Sequence, residues 1–283
     1  MKKNNLRYLL LILLCLAVFF GYRAIDAIRT DDIPPEITIP PEIPEISVHD
    51  DPAVLLSGVT AADRRDGDVT DSLLLERVQL LDSDGAAKAV CAAFDSSGNV
   101  KKAEREFRYT DYESPAFSLS APLSFELNSG FDILGTVSAT DLRDGDISHR
   151  IRATSLDGSA VTTLGAHEVE FRVTNSLDDT VKLVLPVEVY APGLYNASLS
   201  LTDYLIYLDA GETFTPERYL DSFMRGAITT SLTGGLPAGF TLTNTGEVDT
   251  AVPGVYSVGY TVTYSVGNQT YLGYSKLIVV VEG

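Results

Sequence analysis

The sequence has 283 residues and no tryptophan, and it holds only two cysteines and three histidines. Two cysteines exclude a disulfide-stapled scaffold, and so few Cys and His leave little room for a zinc-type centre. Lys and Arg number 21 against 39 Asp and Glu, a net charge of −18. Up to Arg29, five basic groups (Lys2, Lys3, Arg7, Arg23 and Arg29) stand against Asp26 alone, so the remainder carries 16 basic and 38 acidic side chains, a net −22. Such a surface repels phosphate backbones and anionic head groups, which excludes nucleic acid as a partner. Glycine (22) and proline (13) are close to ordinary usage, so collagen-like and low-complexity classes are out. Helical periodicity is nearly absent after residue 30. What is abundant is apolar surface, at 45% of residues, enough to bury a core over most of the chain.

The N-terminus departs from this pattern. Lys2, Lys3 and Arg7 precede an apolar run from Tyr8 to Tyr22, interrupted only by Gly21. A basic start followed by an apolar segment is the layout of a secretory signal. Cys15 follows Leu14 rather than a small residue, which argues against a lipoprotein, and no small-x-small cleavage site follows the run. An uncleaved signal anchor over residues 1–29 is therefore expected, its helix extending toward Ile28, with Arg23 near the outer head groups. That places the N-terminus inside the cell and the rest of the chain outside, as a single-pass protein of a bacterial envelope. Residues 30–46 carry Pro34, Pro35, Pro40, Pro41 and Pro44 among Glu36, Glu42 and Glu45. Proline fixes φ and disfavours helix, so this segment reads as an extended, polyproline-like linker reaching about 40–50 Å. Glu36 to Ile39 has a competing reading as the first strand of the domain that follows.

The chain repeats itself. Gly58-Val-Thr-Ala-Ala-Asp-Arg-Arg-Asp-Gly-Asp-Val69 recurs as Thr136-Val-Ser-Ala-Thr-Asp-Leu-Arg-Asp-Gly-Asp-Ile147, so that Asp63, Asp66 and Gly67 answer to Asp141, Asp144 and Gly145. Phe94-Asp-Ser-Ser-Gly-Asn-Val100 is answered by Thr174-Asn-Ser-Leu-Asp-Asp-Thr-Val181. A spacing this long marks a domain repeat rather than a solenoid unit. Val169, Phe171 and Val173 alternate with polar residues, as do Val258, Tyr260 and Val262, the period of half-buried strands. In the first repeat the matching inward set is Ala87, Ala89, Cys91 and Ala93. Gly267-Asn268 marks a hairpin turn. The one helical candidate is Pro216–Met224, with Thr215 as its cap. The expected fold is all-β: tandem immunoglobulin-like sandwiches at 47–110, 114–190 and 194–283, following an N-terminal transmembrane helix.

The first two segments resemble bacterial immunoglobulin-like surface domains of the hyalin-repeat-related type, over about 34–110 and 114–190. The second repeat departs from the pattern where Asn175 replaces Asp95 and Asp178 replaces Gly98. The third, with Gly235-Leu-Pro-Ala-Gly-Phe-Thr-Leu and Pro253-Gly-Val-Tyr-Ser-Val258, is similar to cadherin-like Ig-type domains of bacterial surface proteins. The resemblance implies stalk, adhesion or carbohydrate-proximal roles, and it implies no catalysis.

Two sets of residues are candidates for chemistry. If the repeat maps onto an Ig-type sandwich, Asp63, Asp66, Asp68 and Asp95 converge at one pole of the first domain. Asp141, Asp144, Asp146 and Asn175 do so in the second. Hard oxygen donors on loops suit Ca²⁺. The competing reading is that Asp-Gly-Asp is simply a turn, with Arg64, Arg65 and Arg143 neutralising the carboxylates. The tyrosine-rich third domain offers Tyr271 and Tyr274 as a binding patch, whereas Tyr256, Tyr260 and Tyr264 fall on the inward register. His49, His149 and His167 lie near no nucleophile motif, so an envelope hydrolase ranks last. Cys91 reads as a buried small hydrophobe. The expectation is a non-enzymatic, membrane-anchored surface protein with no required cofactor, Ca²⁺ being the one candidate. It would bind an extracellular protein or glycan, with homotypic contacts also compatible. The alternative is a structural spacer or assembly subunit of an envelope complex.

Overall fold

The computed structural model describes residues 2–29, 31–156, 158 and 160–283; within the N-terminal helix, the side chains described are those of Tyr8 and residues 10–23. The chain forms two compact units, Met1–Tyr112 and Glu113–Gly283. Strands dominate both, and α1 (Lys2–Arg29) is the one α-helix among the described residues. Every described side chain of α1 is exposed, as leucines and phenylalanines are on a helix that packs against nothing. Among the described residues no helix is long and apolar enough to cross a membrane. The side chains of Lys2, Lys3, Arg7 and Ile28, on which the anchor reading also drew, lie outside the described set.

Unit one then runs β1 (Glu36–Thr38), β2 (Glu45–Ile46), β3 (Thr60–Asp63), β4 (Gly67–Asp68), β5 (Leu74–Leu80), β6 (Ala86–Phe94) and β7 (Val100–Tyr109). These make two sheets, in the orders β1-β3-β4 and β2-β7-β6-β5. The segment expected as a free linker is thus part of the domain. Glu36–Thr38 pairs antiparallel with Thr60–Ala62, and Glu45–Ile46 pairs parallel with Arg108–Tyr109. Alternation of Ile37 and Ile46 with glutamates was the signal, and the prolines between them sit where no ladder donor is required. Ala87, Ala89, Cys91 and Ala93 are all buried, as the alternation requires. Their small faces leave room for Phe107 and Tyr109, whose rings meet edge-on at 5.0 Å. Burial pushes the Cys91 thiol up, against the opposing charge of Arg105.

Unit two opens with the same plan. β8 (Ala116–Leu119), β9 (Ser124–Glu126), β10 (Val137–Asp141), β11 (Gly145–Asp146), β12 (Arg152–Ser155), β13 (Gly165–Thr174) and β14 (Thr180–Tyr190) form sheets β11-β10-β8 and β12-β13-β14-β9. Strand for strand this is unit one again, down to the short parallel pairing of β9 with the last strand. The sequence repeat is therefore a topological repeat.

The remainder is β15 (Ala197–Leu201), β16 (Leu205–Asp209), β17 (Leu220–Arg225), β18 (Ile228–Ser231), β19 (Phe240–Thr245), β20 (Gly254–Val266) and β21 (Gln269–Glu282), hydrogen-bonded into one seven-stranded sheet. Gly267 turns the β20–β21 hairpin with φ +57°. The expected helix at 216–224 is a single 3₁₀ turn over Pro216–Tyr219, without a side-chain cap from Thr215, and Leu220–Arg225 is strand. Leu220 and Phe223 belong to the sheet's core, and that packing overrides weak local helix signals.

β21 explains why this part does not separate from the preceding sandwich. Its residues Leu277, Val279 and Val281 enter one core, with Val258, Tyr260 and Val262. The alternate residue Ile278 enters the other, beside Phe117, Phe171 and Leu185, with Val280 packed against it. Leu205 and Tyr207 on β16 follow Ile278 into that second core. One ribbon thus supplies both cores by the period of two.

Candidate functional site

The acidic motifs build a clamp at one end of each repeat. In unit one, β3 ends at Asp63, whose Oδ1 accepts the backbone N–H groups of Arg65 (2.6 Å) and Asp66 (2.9 Å). Gly67 then takes φ +77°, the left-handed conformation that glycine adopts without cost, and returns the chain into β4. Asp66 reaches across to the turn after β6, where Ser96 donates its backbone N–H (2.6 Å) and its hydroxyl (2.9 Å). Asp95, at the start of that turn, takes the N–H groups of Ser97 (2.9 Å) and Asn99 (2.7 Å) on Oδ1. Its Oδ2 takes the Asn99 amide at 2.6 Å.

Unit two repeats the clamp. Asp141 Oδ1 accepts from Arg143 and Asp144, and Asp144 accepts from the Ser176 N–H (2.7 Å) and hydroxyl (2.6 Å). Asn175 Oδ1 accepts from Leu177 and Asp179. Arg150, which the sequence reading did not single out, donates to Asp144 at 2.7 Å.

The expected convergence therefore holds for Asp63, Asp66 and Asp95, and for Asp141, Asp144 and Asn175. It does not hold for Asp68 and Asp146. These are exposed and turn back on Thr70 and Ser148, two positions on, as local Asx turns. Their strand position directs them away from the next loop.

The two clamps differ at the atom that faces the first aspartate. Asn175 Nδ2 donates to Asp141 Oδ2 at 2.9 Å, which closes the second clamp with a neutral hydrogen bond. In the first, position 95 is a carboxylate and has no proton to give. Asp63 is only 7% exposed, and its Oδ2 has no hydrogen-bond partner among the described residues. Asp31, which sequence reasoning missed, is carried to the same place. Its backbone oxygen accepts from Asn99 Nδ2 at 2.7 Å. Carboxylate oxygens of Asp31, Asp63 and Asp95 lie within 4.8 Å of one another.

Burial acts to push the Asp95 carboxyl up, but the Asn99 amide and the turn N–H groups outweigh it and hold it below the usual carboxylate range. Asp144 is likewise held low, burial being outweighed by Ser176 and by the Arg150 guanidinium.

The tyrosine candidates separate. Tyr274 is half-buried, stacked on Tyr195 at 5.0 Å, and its hydroxyl donates to Glu188 at 2.8 Å. Lys276, itself buried, lies 3.6 Å from the same carboxylate. Burial and Glu188 push the Tyr274 hydroxyl far up, and burial pushes the Lys276 ammonium down against the pull of Glu188. Tyr274 is thus a structural joint to β14. Tyr271 stands with Tyr264 beneath the Arg225 guanidinium, 5.4 and 4.8 Å from the two ring centres. Tyr264 also stacks on Phe240 at 4.3 Å, so these residues form a half-buried aromatic strip.

His167 is buried, with Nε2 2.8 Å from the Thr163 carbonyl oxygen; His49 and His149 are exposed. A cavity of about 700 Å³ lies on the outer face of β5 to β7, lined by Glu76, Arg77, Val90, Lys102, Ala103 and Glu104.

No protein-family model matches the chain. It is 30% identical over 125 residues to an uncharacterized 81.3 kDa protein of Acholeplasma phage L2, an alignment covering 44% of this chain and 15% of that protein. The chain therefore aligns with only a small part of that relative. Among solved structures it is similar to Drosophila N-cadherin EC1-4, at 14% identity, over 90% of this chain and 76% of that one, with a TM-score of 0.25. Mouse cadherin-23 EC22-24 gives 13%, 89%, 99% and 0.21 in the same terms. The CBM51-2 and INT domains of Clostridium perfringens ZmpB give 13%, 54%, 41% and 0.22. Scores this low do not establish a shared overall arrangement.

Proposed function

We propose that the chain is a non-enzymatic envelope protein: α1 seats in a lipid bilayer and the acidic β units are presented outside the cell. The observation that carries this reading is the helix. Eleven large apolar or tyrosine side chains between Tyr8 and Tyr22 are 45–66% exposed. An unpartnered apolar helix of this kind calls for a non-aqueous environment. The run from Tyr8 to Tyr22 rises only about 22 Å, less than the ~30 Å hydrocarbon core. Seating is completed by the flanking turns and by Arg23, which is exposed and long enough to reach the head groups. The strongly acidic body is repelled by anionic lipid and stands off it.

The outward body meets an extracellular protein or glycan, and the aromatic strip of Phe240, Tyr264 and Tyr271 with Arg225 is the surface suited to it. The spacer reading has its own support in unit two, where β16 and β21 stiffen the joint by serving two cores.

The test is membrane partition of the full chain. Wild type is expected to sediment with membranes and resist alkaline carbonate. The double variant Leu11→Lys, Leu14→Lys is expected to move to the soluble fraction, with unchanged circular dichroism of the β body. A wild-type chain that stays soluble contradicts the proposal.

A further inference from the structure

The geometry assigns a Ca²⁺ site to unit one alone, held by the carboxylates of Asp31, Asp63 and Asp95. Calcium takes oxygen donors at about 2.3–2.6 Å, so donors on one ion lie within about 5 Å of each other. The three carboxylate oxygens meet that condition. A cluster of acids alone would be ordinary surface charge. The second observation is the buried Asp63 Oδ2 without a partner. A buried carboxylate oxygen left unpaired is costly, and a cation removes that cost.

The second repeat supplies the comparison within the same chain. There Asp141 Oδ1 takes the same two turn N–H groups, and Oδ2, the atom left open in unit one, accepts from Asn175. Residue 175 in turn uses its Oδ1 as Asp95 does, on the N–H groups two and four positions ahead. The two clamps thus share this hydrogen-bond plan, but an amide nitrogen stands where unit one has an anionic oxygen, and in unit two Arg150 adds an ion pair to Asp144. One repeat closes with a proton donor, and the other is built for a positive charge.

Asp31 has a counterpart ahead of the second repeat, Asp111, whose two oxygens accept from the Ser47 hydroxyl and the Val48 N–H. Asp31 has one oxygen on the Ile33 N–H. A cavity of about 390 Å³, lined by Ile33, Pro34, Glu36, Ala62, Asp63 and Arg64, gives an ion a way in. Arg64 is exposed and forms no ion pair with Asp63 among the described residues. Because Asp31 lies just past the end of α1, the ion ties the segment that follows the helix to the sandwich of unit one. It fixes the direction in which the domain leaves its stem. None of this depends on α1 entering a membrane.

The experiment is isothermal titration of the full chain in detergent with CaCl₂, paired with calorimetric melting in CaCl₂ or chelator. Wild type is expected to bind one Ca²⁺ and to raise the unit-one transition by roughly 5–10 °C at about ten times Kd. Asp95→Asn recreates the closure seen in unit two. It is expected to lose binding, and it also gives up the hydrogen bond that Asn99 Nδ2 donates to Asp95 Oδ2, so Asp31→Asn, which leaves that bond in place, is the control for folding. Asp31→Asn is expected to weaken binding at least tenfold, and Asp144→Asn in the second clamp to leave it unchanged. No binding by wild type up to about 10 mM, beyond the weak range of extracellular calcium modules, overturns the assignment, as does wild-type affinity in Asp95→Asn. Equal loss in Asp144→Asn also overturns it, because that marks diffuse acidic binding.

Discussion

Asn175 and Asp95 show how one side chain sets the character of a loop. Asn175→Asp removes the donor that satisfies Asp141 Oδ2 and sets two carboxylates together in its place. We expect it to lower unit-two stability by about 1–3 kcal/mol at pH 7, measured by urea unfolding. Asp144 gives a pH dependence with a definite sign. Its carboxyl is held below the ordinary value by Ser176 and Arg150, net of burial. A depressed folded-state value adds stability that is full above the unfolded value, about 3.9. That stability is lost as pH falls through the folded value. Unit two should therefore weaken below about pH 4, and Asp144→Asn should flatten that acid limb in a pH series of melts. The convergence of these aspartates was legible from the repeat alone, because equal motifs at equal offsets imply equal poles. Asp31 was not legible. It lies far upstream of Asp63, in a segment whose prolines read as linker, and its only signal is the matching place of Asp111 before the second repeat.

Strands were legible wherever one face is wet, as in β13, where Val169, Phe171 and Val173 alternate with polar neighbours. They were less legible where both faces are covered. Leu277 to Val281 is a continuous apolar run, and such a run does not say which core each residue enters. The structure shows that it enters two. That is why a boundary read at Ala191–Gly193 meets a single compact unit from Glu113 onward. Ile278, at 1% exposure, faces the core built mainly from β8 to β14. We expect Ile278→Ala to cost about 2–5 kcal/mol and to lower one cooperative transition for all of unit two. Two separated transitions, with only the C-terminal one shifted, would show that the cores are independent. The short helix expected at 216–224 failed for a related reason. A proline and a polar first turn start a 3₁₀ turn, but Leu220 and Phe223 are claimed by the sheet.

Taken whole, the molecule pairs one apolar helix with a body of net charge −22, a division of surface that suits a chain held at a boundary between lipid and water. The all-β character of that body follows from its strand periodicity and is what the structure shows. The most direct measurement is protease accessibility of the full chain in intact cells, followed by mass spectrometry of what survives. The account predicts that external protease digests the chain from Asp31 onward, while peptides from Lys2–Arg29 persist until the membrane is dissolved. Protection of the β units in intact cells, with digestion only after lysis, would contradict it.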